Sequence, residues 1–261
     1  MRAPHIKEVI LDIQSLSVCV PSDCPNNCKF CISRMRDDTG KESSDYRDLE
    51  AIRKRMAFAR DNGCNTLMLT GTGEPITNMI YIGDIMGVNE RLGQPFRNVE
   101  LQTSGVGLIR ELAKLNSMGV ETIALSVADI FDNKNNMDIM RVPDEYYHES
   151  INWSVDSVAE SIKKRNFNLR ITINMIDKYR NIGLEEVFDR LKYIGADQVT
   201  FRYLETVGNP NSEYYKWTTK NRLKIEEFNK IEDSIKSLGN KLERTPYGQM
   251  RYSIKGISTV V

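Results

Sequence analysis

Short runs of β-branched and aliphatic residues alternate along the chain with longer stretches whose apolar positions recur every three to four residues. The runs at 14–20, 66–70, 98–102, 122–127, 169–175 and 198–204 read as six strands. Between them, Leu49, Ile52, Met56 and Ala59, and then Leu108, Leu112, Leu115 and Met118, each fall on one helical face. Gly63, Gly119 and Gly195 close helical patterns a few residues before the next strand, supplying the left-handed position that ends a helix. Repeated βα units of this kind build a parallel sheet through right-handed crossovers. Six units are fewer than the eight of a closed barrel, so the expected fold is α/β, a partial (β/α)6 TIM-like barrel with an open side. Ligands then belong at the carboxyl ends of the strands.

The pattern changes after residue 204. Residues 205–219 are polar and aromatic, 223–238 read as a helix, and 252–261 as a short β-prone tail. The expected organisation is a barrel core over 1–205 and a C-terminal cap over 206–261, packed on the core. The final ISTVV is apolar, which leaves two readings: a shortened chain, or a strand that pairs elsewhere in the fold. Residues 129–143 are expected to form a polar loop closing the substrate cleft. Tyr214, Tyr215 and Trp217, among Lys216 and Lys220, read as a surface cap in preference to a base-stacking platform.

Charge narrows the function classes. With 36 basic and 36 acidic residues the net charge is zero, so nothing global draws the chain to nucleic acid or to an anionic membrane. No apolar run approaches the about 20 residues that span a bilayer, and charges interrupt the apolar start, unlike a signal peptide. A cytoplasmic protein is expected. Of five cysteines, three crowd into Cys24-Pro-Asn-Asn-Cys28-Lys-Phe-Cys31, which suits metal binding in a reducing compartment better than disulfides. This loop directly follows the first strand, on the ligand side of the expected fold. Three thiolates on a four-iron cube would leave one iron without a protein ligand. A structural zinc site, with Cys19 as fourth ligand, is the competing reading, although such sites usually pair two separated Cys-x2-Cys arms. Cys19 and Cys64 otherwise read as buried small hydrophobes, and His5 and His148 form no ligand motif.

One βα unit later, Thr70-Gly71-Thr72-Gly73-Glu74-Pro75 forms a glycine-rich loop in which Glu74 supplies an acceptor for an ammonium group. The third strand ends in Gln102-Thr103-Ser104-Gly105 and the fourth in Ser126-Val127-Ala128-Asp129. The fifth carries Thr172-Ile173-Asn174, and the sixth Arg202-Tyr203-Leu204-Glu205. Polar groups thus gather at one rim.

Cys-x3-Cys-x2-Cys with an aromatic, Phe30, before the last cysteine resembles the hallmark of the radical S-adenosylmethionine (radical SAM) superfamily. The resemblance implies one [4Fe–4S] cluster on Cys24, Cys28 and Cys31, with S-adenosylmethionine chelated at the open iron. It implies reductive cleavage to a 5′-deoxyadenosyl radical, oxygen sensitivity, and a reductant such as flavodoxin or ferredoxin. Gly71, Thr72, Gly73 and Glu74 match the family's glycine-glycine-glutamate position for the methionine amino group, with a threonine between the glycines. Over residues 14–210 the rim segments are also similar to the GTP 3′,8-cyclases of molybdenum-cofactor biosynthesis. That similarity implies cofactor contacts for Gln102, Ser104, Ser126 and Asn174, adenine proximity for Tyr203 and Leu204, and substrate contacts for Arg202 and Glu205. Thr103 and Thr172 read as structural. Those cyclases need further cysteines near the carboxyl end, and none follows Cys64 here. The expected activity is therefore hydrogen abstraction from a small molecule, a nucleotide or nucleoside first. A macromolecular substrate (peptide, glycyl-radical enzyme or RNA) and a non-enzymatic zinc module are the alternatives.

Overall fold

The computed structural model describes residues 13–36, 48–144, 153–244 and 250–261. Its centre is a nine-stranded sheet. Six strands lie side by side in sequence order: β1 (Leu16–Val20), β2 (Thr66–Gly71), β3 (Asn98–Thr103), β4 (Thr122–Val127), β5 (Asn168–Asn174) and β6 (Gln198–Arg202). All are parallel. Beyond β6 the sheet continues into the tail, as β7 (Asn240–Arg244), β8 (Met250–Ile254) and β9 (Ile257–Val260). β9 pairs parallel with β6, while β8 pairs antiparallel with both β9 and β7. The apolar tail thus supplies a seventh parallel strand, with Ile257 and Thr259 buried.

The crossover helices are α1 (Ile32–Met35), α2 (Leu49–Asp61), α3 (Met79–Arg91), α4 (Leu108–Ser117), α5 (Asn133–Met140), α6 (Val155–Lys164) and α7 (Leu184–Tyr193). They are followed by α8 (Glu213–Asn221) and α9 (Ile225–Leu238). Local chemistry sets their ends. The Asp48 carboxylate accepts the amides of Glu50 and Ala51 at the start of α2, and Ser154 with Ser157 forms a capping box on α6. Gly63, Gly119 and Gly195 all take positive φ (82, 83 and 75°), as the helix-ending role requires. Ile52, Met56 and Ala59 of α2, and Leu108, Leu112 and Leu115 of α4, turn their shared face into the core.

Each central strand has two different faces. Leu67 and Leu69, Val99 and Leu101, Ile123 and Leu125, Leu169 and Ile171, and Val199 and Phe201 are buried under the helices. The opposite face carries Glu100, Gln102, Arg170, Thr172, Thr200 and Arg202, which line an open cavity of about 730 Å³. A closed barrel fills this space with branched apolar side chains. Here it is polar, and Glu100 pairs with Arg170 across it at 2.7 Å.

One stretch differs from expectation. Residues 133–140 are helical instead of a loop, because Asp132 caps them by accepting the Asn135 amide and Met137, Ile139 and Met140 turn inward. Residues 213–221 are also helical, started by Ser212, whose hydroxyl accepts the Tyr214 amide. His5 and His148 lie outside the described residues. No described helix is long and apolar enough to cross a membrane.

Candidate functional site

The cysteine loop leaves the carboxyl end of β1 and runs into the single turn of α1, where the Cys31 carbonyl accepts the Met35 amide at 3.1 Å. Three neighbours hold it. From the β2 side, the Glu74 amide and the Thr77 hydroxyl both donate to the Asp23 carbonyl, at 3.0 and 3.1 Å, and the Asn78 amide donates to Pro21 at 2.7 Å. At the end of α5, Ile139 and Arg141 carbonyls accept the amides of Lys29 and Asn27, and Lys29 pairs with Asp138 at 2.7 Å. Above it sits α8: the Tyr214 hydroxyl donates to Asn27 Oδ1 at 2.8 Å, and Phe30 meets Trp217 at 6.5 Å between ring centroids. Tyr214 and Trp217 therefore cap the cysteine loop itself.

Cys24, Cys28 and Cys31 are all half-buried. Burial pushes the Cys28 thiol up to about 12, reinforced by the charges of Cys31 and Cys24. Burial also raises Cys24. Thiolates crowded this way need a cationic partner before they ionise together. Asn26, between the first two cysteines, is 1% exposed; its side chain meets no nitrogen or oxygen partner and lies against the Cys28 thiol, whose pKa it pulls down against the effect of burial. A buried amide left open inside a thiol loop fits a sulfur-rich group that accepts from it. Among the described residues no three Cys, His, Asp or Glu side chains close around a single ion.

The glycine-rich loop packs against the cysteine loop. A Cβ on Gly73 would lie 2.3 Å from the Ser22 carbonyl oxygen, and one on Gly71 3.0 Å from that of Val20. The glycines admit the backbone of the cysteine loop. Glu74 is 2% exposed, and its carboxylate accepts the Thr103 hydroxyl at 2.7 Å, the Ser104 amide at 2.7 Å and the Ser104 hydroxyl at 2.6 Å. Burial raises its pKa, against the lowering effect of those bonds. The carboxylate thus ties the end of β2 to the end of β3. Thr72 is exposed at the tip of this loop.

Ser126 and Asn174 are brought together, Asn174 Nδ2 donating to Ser126 Oγ at 3.1 Å and to the Val127 carbonyl at 3.0 Å. Gln102 donates to Glu100 at 3.2 Å within the cavity. Tyr203 packs on Phe228 at 5.3 Å and beneath the Arg222 guanidinium at 5.4 Å, while Leu204 is buried and its carbonyl accepts from Arg222. Both join β6 to the cap, and neither lines the cavity. Glu205 is exposed outside the cavity, whereas Arg202 projects into it.

Sequence reasoning missed Asn26, the Glu100–Arg170 pair, and the buried pair Asp129 and Asn136. The strict alternation in Val99-Glu100-Leu101-Gln102 and Leu169-Arg170-Ile171-Thr172 was the available signal for the second.

No curated protein sequence matches the chain. Solved structures do. A radical SAM methyltransferase from Sphaerobacter thermophilus aligns with TM-score 0.53 at 19% identity, over 78% of this chain and 62% of that one. anSMEcpe with bound AdoMet and Kp18Cys peptide aligns with TM-score 0.54 at 16% identity, over 85% and 59%. Methylornithine synthase (PylB) aligns with TM-score 0.52 at 14% identity, over 85% and 62%. The chain thus spans about six tenths of the length of these proteins, and the likeness is one of fold. The family model of the radical SAM superfamily matches residues 18–194, from within β1 to the end of α7. That match takes in more than half of the chain, and by it the protein belongs to the radical SAM superfamily.

Proposed function

We propose that Cys24, Cys28 and Cys31 hold the superfamily's [4Fe–4S] cluster, and that the protein abstracts hydrogen from a small molecule bound on the concave face of its sheet. As a radical SAM protein it is an enzyme that works with this cluster and S-adenosylmethionine. When bound, these groups supply an electron at low potential and a carbon-centred hydrogen abstractor. The chain's own part is to hold and shield. The loop presents three thiolates and leaves one iron position for the cofactor. Asn26 offers a buried N–H from inside the loop, and α8 and α5 close the loop against water through Trp217, Tyr214 and Arg141. Ser126 and Asn174, paired at one end of the rim, offer hydroxyl and amide groups to the cofactor's ribose or methionine.

The observation that carries the small-molecule reading is the polar cavity. About 730 Å³ lies within the 300–1,000 Å³ range of small-ligand pockets. An electron donor such as flavodoxin or ferredoxin is the expected partner. Purified and reconstituted without oxygen, the protein should bind about four irons and, with a strong reductant, convert S-adenosylmethionine to 5′-deoxyadenosine and methionine. Replacing Cys24, Cys28 or Cys31 by alanine should abolish this conversion; turnover that survives in all three variants refutes the assignment.

A further inference from the structure

Three glutamates and three arginines line the concave face, so its formal charge is zero, but the charges are not all paired. Of the charged groups lining the cavity, Glu100 is paired with Arg170 at 2.7 Å and Glu243 with Arg251 at 2.6 Å. Arg170 also makes two bonds to Gln198 Oε1, at 3.0 and 2.7 Å. Glu121 stands just before β4, at the amino-terminal rim. Arg202 ends β6 at the opposite, carboxyl-terminal rim, where the cysteine loop lies. Its side chain makes no hydrogen bond or ion pair among the described residues, although it lines the cavity. Its Cα partner on β5 is Asn174, which donates to Ser126 Oγ.

Arg202 is exposed to the cavity, so its guanidinium is solvated there and free to take up an anion. Its planar fork matches an oxyanion two oxygens at a time. No lysine lines the cavity, and no second unpaired cation does. A nucleoside polyphosphate would bring several negative charges to a lining whose three glutamates already offset its three arginines. A single carboxylate adds only one, beside the one unpaired arginine.

We infer that Arg202 anchors the carboxylate of a small monoanionic substrate in the polar cavity, turned towards the cysteine loop. This rests on the small-molecule reading above and replaces the nucleotide within it by a carboxylic acid. Thr172 and Thr200, paired across β5 and β6 one step deeper on the same face, offer hydroxyls to the rest of the molecule.

The probes are propionate, its neutral isostere propionamide, and inorganic phosphate, each titrated anaerobically into the reconstituted protein while thermal unfolding is followed. The wild-type melting temperature should climb with propionate and stay level with propionamide. R202Q should lose the propionate response, and R202K should need roughly tenfold more propionate, a lysine being unable to supply the paired bonds. S-adenosylmethionine is titrated into the same proteins as a control on cofactor binding. Equal responses to propionate and propionamide, an R202Q response equal to wild type, or a phosphate response stronger than propionate overturns the proposal. So does R202Q that has lost affinity for S-adenosylmethionine alone, which would make Arg202 a cofactor ligand. A failed propionate response with S-adenosylmethionine cleavage intact overturns this inference and leaves the radical SAM reading standing, whereas absent cleavage in the wild type strikes the latter.

Discussion

At Gly73 an added methyl group would sit 2.3 Å from the Ser22 carbonyl oxygen and 2.7 Å from that of Asp23. Both are backbone atoms, so no side chain can swing aside to make room. The Gly73→Ala variant must therefore push apart the two loops that meet there, at a cost of about 1–3 kcal/mol, as for other overpacked sites. The displaced segment leads straight into Cys24. Iron retention after gel filtration should fall in this variant by a larger fraction than its stability in urea does; full iron content would show that the contact is slack. Glu74 sits one residue on, and its two carboxylate oxygens are engaged by Thr103 and Ser104. In the sequence the glycines and the glutamate were legible as a motif, and their position beside the cysteines was right. What they touch was not legible, because a glycine records only that something comes close, without saying whether it is a ligand or another turn of chain.

Among the elements, α5 transmits most to the site, and Asp129 sets its place. The carboxylate is fully buried and accepts the amides of Phe131 and Asp132, the Asn135 side chain at 2.7 Å and the Lys178 ammonium at 2.5 Å. Asn136 adds a second hold from within the helix, its Oδ1 accepting the amides of Ala128 and Asp129. The far end of α5 then presents the Ile139 and Arg141 carbonyls to the cysteine loop. Burial alone would raise the Asp129 pKa, but the bonds from Asn135, Lys178 and the two amides outweigh it and hold the group below the usual carboxylate value. A depressed carboxyl contributes stability above its unfolded pKa and loses it as pH falls through the folded one. Asp129→Asn turns a donor towards Lys178 and Asn135. It should cost about 2 kcal/mol near neutral pH, the low end for a buried pair because Lys178 can re-solvate. In urea titrations the gap between wild type and variant should narrow in acid, below the ordinary carboxylate range. A gap that stays constant with pH would mean that Asp129 is not ionised in the fold. The sequence read residues 129–143 as a polar loop; capping by Asp132 and the inward Met137, Ile139 and Met140 override that local preference.

At the scale of the whole molecule, the cavity is a joint product of strands far apart in sequence. The order of the six parallel strands was readable from apolar runs and closing glycines, since both are local signals. The polar inner face was not, because reading strands as apolar runs passes over alternation, and alternation is what leaves one face wet. The last strand completes that face: Val260 of β9 lines the cavity with Thr200 as its Cα partner on β6, and Arg202 stands two residues further along the same face. Diagonal neighbours on adjacent strands lie about 7–8 Å apart, within reach of two long side chains. Val260→Glu should therefore hand Arg202 an internal carboxylate and remove the propionate response, while Val260→Gln, of the same size and uncharged, should keep it. The pairing itself is measurable. Adding Arg202→Gln to Val260→Glu should destabilise the protein more than Arg202→Gln does alone, by a coupling of about 0.5–3 kcal/mol for residues in contact. Zero coupling, with propionate still binding to Val260→Glu, would place the anion elsewhere on the concave face.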